Sequence, residues 1–135
     1  NIDLKSCVIK SIKKKNTIIF HNSTNNLKKR FLKKKGALLI KLDTDKYKNL
    51  DLKKVLIKLY TLGVKSLLVE GGDKITKNFL QKRLFNEFYV FKSSKNLKKK
   101  GKYINFTSYS ILNSKYNKKI TGSKLVNDKL IIYKK

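Results

Sequence analysis

Residues 66–80 read SLLVEGGDKITKNFL. An aliphatic run stops at Glu70, two glycines follow, and an amphipathic pattern resumes at Asp73. Each part has a chemical use. A carboxylate at the end of a strand can accept hydrogen bonds from the polar groups of a substrate. Gly71 and Gly72 remove side chains where the backbone must turn sharply or come close to a ligand. A helix opening near Asp73 would present unfilled N–H groups and the positive end of its dipole. Such an end can seat a phosphate or pyrophosphate on backbone amides, with Thr76 and Asn78 at hand to help. A plainer alternative stays open: Gly-Gly is a common strand-to-helix turn, and Glu70 then only caps or solvates it.

The elements that must position these residues are legible in outline. TIIF, residues 17–20, is a short β-branched run that predicts a buried strand. NNLKKRFLKKKG follows, with Leu27, Phe31 and Leu32 on a narrow apolar face, Thr24 as the expected N-cap and Gly36 as the C-terminal glycine. ALLIKL predicts the next strand. Leu52, Val55, Leu56, Leu59 and Tyr60 form one stripe at helical spacing, opened by Asp51 and closed by Gly63. SLLVE then predicts a central, parallel strand with Leu67, Leu68 and Val69 buried, because a continuous apolar run suits a strand covered on both faces. Residues 73–84 predict a helix with Ile75, Phe79 and Leu80 inward. Residues 86–94, 102–112 and 129–135 predict strands, and 113–123 a loop or poorly formed strand. Helices between the early strands require a parallel sheet, and the late strands can return antiparallel. The expected architecture is α/β, a three-layer mixed sheet.

Composition excludes several function classes. The single Cys7 leaves no internal disulfide and points to a reducing, cytoplasmic compartment. With His21 as the one histidine, no His/Cys zinc site can be assembled, and no metal is expected. No apolar run approaches the ~18–20 residues of a membrane span. The net charge of +27 invites a nucleic-acid reading, but the excess is almost wholly lysine, with Arg30 and Arg83 the two arginines. Arginine is the better bidentate reader of phosphate and guanine. Lysine, asparagine and isoleucine abound together, as in a gene rich in A and T, so no specific nucleic-acid partner is expected. The absence of methionine and the abrupt opening NIDLK suggest a piece of a longer protein.

The segment LGVKSLLVEGGDKITKNFLQKRLFNEFYVF resembles the reductase domain of the bifunctional riboflavin-biosynthesis deaminase–reductase. The carrying residues are Gly63-Val64, residues 66–72, Asn78-Phe79-Leu80 and residues 84–87, and KLVNDKLIIYKK is similar to the family's last strand. The likeness is sharp over residues 62–91 and looser elsewhere. It implies a dihydrofolate-reductase-like fold, residues 1–135 being the C-terminal portion of a single reductase domain whose N-terminal part is missing. It also implies NADPH-dependent reduction of the ribosyl group of 5-amino-6-(5-phosphoribosylamino)uracil to the ribityl product, by a homodimer or higher homo-oligomer.

Carried over by position, the resemblance makes Glu70 a substrate contact. It gives Gly71, Gly72, Asp73, Lys74, Ile75, Thr76, Lys77 and Asn78 to the cofactor phosphates, and His21 and Asn22 to its adenosine side. No side chain is implied as a proton donor. Departures are the sequence SSKNLKK where the family has a proline and glycines, and the Asp73 carboxylate beside the expected phosphate. The zinc deaminase half is absent, and the isolated chain is expected to be inactive. Two other readings stand beside this one: a basic nucleic-acid-binding module, which needs aromatics among lysines on an exposed sheet face, and a degenerate domain kept for oligomerisation.

Overall fold

The computed structural model describes residues 2–45, 47–95, 106–122 and 128–135. The chain divides into two compact units, Asn1–Leu67 and Leu68–Lys135.

In the first unit, β1 (Ile18–His21) and β2 (Leu38–Lys41) pair in parallel, from Ile18 opposite Leu38 to His21 opposite Lys41. The crossover between them is α2 (Asn26–Lys34), as parallel neighbours require. The core joins Ile9, Ile12, Leu32 and Ala37, with Ile19 and Leu39 packed against it. Two of these come from α1 (Cys7–Ser11) and the 3₁₀ turn after it (Ile12–Lys14), elements that sequence reasoning missed. Each fully buried aliphatic side chain contributes about 1.5–3 kcal/mol.

The helix signals are local and chemically specific. The cap of α2 is Asn25, not Thr24: its side chain accepts from the Lys28 N–H at 2.9 Å. Asp51 caps α3 (Leu52–Thr61) by accepting from the Lys53 N–H at 3.0 Å, a contact of about 1 kcal/mol. Both helices end with the same motif. The amide of Ala37 reaches back to the Leu32 carbonyl, and that of Val64 to Leu59, each at 3.1 Å. The turn residue between is Gly36 at φ +99° or Gly63 at φ +84°, a conformation that side chains disfavour. The α3 stripe is only half-buried at Leu52, Val55, Leu56 and Leu59, and Tyr60, expected inward, is 76% exposed.

The largest departure is SLLVE. Residues 64–70 form no strand, none of the described strands pairs with them, and Leu68 is 80% exposed. An apolar run makes a strand only where a neighbour fills its hydrogen bonds. These residues instead cross the boundary between the two units. Among the described residues the expected three-layer mixed sheet is likewise not seen: the strands form a two-stranded parallel sheet and a three-stranded antiparallel one.

That second sheet belongs to the second unit. It places β5 (Lys129–Lys134) between β3 (Glu87–Lys92) and β4 (Asn117–Gly122). The strands expected at 86–94 and 129–135 therefore form. Of the strand expected at 102–112, residues 102–105 lie outside the described residues, and 109–112 belong instead to α5 (Tyr109–Lys115). The reason is packing: Leu112 is fully buried with Leu80, Ile131 and Tyr133, and Tyr109 and Ile111 pack around them.

Leu80 comes from α4 (Asp73–Gln81), whose end repeats the motif above, with the Leu84 amide on the Phe79 carbonyl at 2.9 Å. Here Arg83 takes the left-handed position, at φ +52°. The Tyr116 hydroxyl donates to the Leu80 carbonyl at 2.9 Å, tying the end of α5 to α4. The buried Tyr133 hydroxyl donates to Asn113 Oδ1 at 2.8 Å. Burial and the adjacent Tyr109 hydroxyl push the Tyr133 pKa up to about 12.

Candidate functional site

The site begins at the N-terminus of α4. Gly72 is the N-cap, in extended backbone at φ −73° and ψ 173°, and no side chain caps the helix. The amides of Ile75 and Thr76 bond the Gly72 carbonyl at 3.1 and 3.2 Å, leaving those of Asp73 and Lys74 as the donors at the open end. The space over Gly72 is clear: a Cβ built there meets no atom within 4 Å. Gly71 is the opposite case, since a Cβ there would lie 2.0 Å from Ile75 Cγ2. One glycine thus lets the backbone close onto its own helix, and the next leaves the helix end bare. Lys74 and Lys77 are exposed on the first turns and add positive charge.

Asp73 does not cap its own helix. Its Oδ2 accepts from Thr107 Oγ1 at 2.5 Å. Its Oδ1 accepts from Ser108 Oγ at 2.9 Å and from the Ser108 N–H at 3.2 Å. The Thr107 hydroxyl, with the Ser108 donors, holds the Asp73 carboxyl below the usual carboxylate range, against a smaller opposing effect of burial. Sequence reasoning found Asp73 and missed its partners. Ser108, directly before Tyr109 and Leu112 at helical spacing, was the available signal for a helix start.

The other expected residues divide between the units. Glu70 is exposed, in irregular backbone, with no hydrogen bond or ion pair among the described residues. The argument that it ends a central strand falls with that strand. Thr76 lies partly buried on the first turn of α4. Asn78 lies one turn further along, and its Nδ2 donates to the Lys74 carbonyl at 3.1 Å within the same helix. His21 and Asn22 sit in the first unit. His21 ends β1 and its Nδ1 accepts from the Ser23 N–H at 3.2 Å, and Asn22 Nδ2 donates to Thr44 Oγ1 at 3.5 Å. Among the described residues, no three His, Cys, Asp or Glu side chains gather as metal ligands, and no helix is long and apolar enough to cross a membrane.

An uncapped helix N-terminus behind a double glycine, in a small α/β chain, is an arrangement able to take an anion on backbone amides. Residues 1–124 match the family described as the RibD C-terminal domain, and the chain belongs to that family. This is the reductase part of the riboflavin-biosynthesis deaminase–reductase, a dihydrofolate-reductase-like family that works with a nicotinamide cofactor. No curated protein gives a match to the chain.

Proposed function

We propose that the chain serves NADPH-dependent reduction of the ribosyl group of 5-amino-6-(5-phosphoribosylamino)uracil to the ribityl product. Family membership supplies the reaction class, and the open N-terminus of α4 behind Gly72 is the observation that carries the cofactor assignment. The amides of Asp73 and Lys74 receive a cofactor phosphate, with the Lys74 and Lys77 ammonium groups attracting it and Thr76 on the same turn. Glu70, free of protein partners among the described residues, accepts hydrogen bonds from substrate hydroxyl or amino groups and orients them. A nicotinamide, when bound, would supply the hydride to C1 of the ring-opened ribose, the balancing proton coming from solvent; binding and orientation are the protein's part.

The test is a titration of the complete protein with NADPH, followed by its fluorescence. Saturable binding at one NADPH per chain is expected. A signal that never saturates, or that reflects only weak attraction abolished by modest salt, would reject the assignment.

A nucleic-acid platform fits less well. Tyr89 and Phe91 are exposed on β3, but the residues paired with them on β5 are Ile132 and Leu130 rather than lysines. The Tyr89 hydroxyl, moreover, is already engaged by the Glu87 carboxylate, which is itself paired with Lys134 Nζ at 2.8 Å.

A further inference from the structure

An aspartate in the first turn of a helix is favoured because its charge complements the dipole. At an end meant for a phosphate, the same charge fills the site and repels the ligand. The structure shows where Asp73 turns instead. Three donors from residues 107 and 108 take both carboxylate oxygens. Ser108 is fully buried and stands at the N-cap position of α5, yet its side chain makes no cap bond there and serves Asp73. Gly72 has no side chain to replace the cap that Asp73 withholds from α4.

We propose that Thr107 and Ser108 are positioning residues that hold the Asp73 carboxylate off the N-terminus of α4 and so keep that end open to the cofactor phosphate. This rests on the reading of α4 as the phosphate site. Without the two hydroxyls, only the Ser108 N–H still holds the carboxylate, and the amides of its own first turn draw it back. The contact then does more than join α4 to α5, because it decides whether an anion meets bare amides or a negative charge.

The experiment compares the parent, Thr107→Val and Thr107→Val/Ser108→Ala, each with and without Asp73→Asn, in the complete protein. NADPH affinity should fall about tenfold in Thr107→Val/Ser108→Ala, the weight of one partly solvated charge contact. Adding Asp73→Asn should restore it to within about twofold. A purely structural contact predicts no such rescue. In the ligand-free protein, hydrogen exchange at the amides of residues 73 and 74 should slow in the doubly substituted variant and return to the parental rate once Asp73→Asn is added.

Should Ser108→Ala prevent folding, the exposed Thr107→Val alone is expected to move both readouts in the same directions. Unchanged affinity, or loss that Asp73→Asn does not reverse, overturns the proposal where Gly72→Val still abolishes NADPH binding. If Gly72→Val binds NADPH normally, the phosphate site itself is wrong. Exchange at residues 73 and 74 then decides the carboxylate's position, and unaltered exchange overturns it.

Discussion

Gly72→Val is expected to abolish measurable NADPH binding while leaving the protein folded. The backbone at Gly72 has φ −73° and ψ 173°, which a β-branched residue adopts without strain. Its Cβ would stand in open space. The folding cost is therefore only that of a poor N-cap residue, about 1 kcal/mol. The functional cost is larger. An isopropyl group over the amides of Asp73 and Lys74 blocks two charge-assisted hydrogen bonds of about 1.5–3 kcal/mol each, a loss on the order of a hundredfold or more. Thermal unfolding and NADPH titration on the same sample separate the two costs. Parental affinity in a folded Gly72→Val protein would remove the phosphate site. Gly71 cannot serve the same test, because the Ile75 side chain fills the place of its Cβ and any substitution disturbs the helix itself.

Glu70→Gln is expected to lower kcat/KM for the ribosylamino substrate by about ten- to a hundredfold, with NADPH affinity unchanged. The exchange keeps shape and removes charge. Glu70 has no hydrogen bond or ion pair among the described residues, so folding does not depend on it. What is lost is a charge-assisted hydrogen bond to the substrate, about 1.5–3 kcal/mol. Steady-state kinetics with each reactant varied in turn checks the division. Unaltered turnover, or a fall in NADPH affinity in its place, would move Glu70 out of the substrate site.

What the sequence made legible was the local chemistry. Gly36 and Gly63 mark helix ends because a left-handed turn residue is a property of a few consecutive positions. Asp51 marks a helix start for the same reason. The α4 pattern, with its bare glycine cap, was readable at Phe79 and Leu80, which are buried, but not at Ile75, which was expected inward and is exposed. SLLV misled because an unbroken apolar run reports hydrophobicity without reporting a neighbour, and strand formation depends on the neighbour. Helix α5 was hidden by its brevity and by β-favouring tyrosine and isoleucine, whose preference the Leu112 packing overrides. The Asp73–Ser108 contact joins residues 35 positions apart, and no spacing rule spans that distance.

The most direct measurement of the central claim is isotope transfer. The complete protein is incubated with 5-amino-6-(5-phosphoribosylamino)uracil and NADPH carrying deuterium at both hydrogen positions of C4 of the dihydronicotinamide, and the product is analysed by mass spectrometry and NMR. The account predicts a ribityl product bearing one deuterium at C1 of the former ribose, formed in step with NADPH oxidation. Folded protein that leaves the substrate unreduced, or a product in which the deuterium is absent from that carbon, would contradict it.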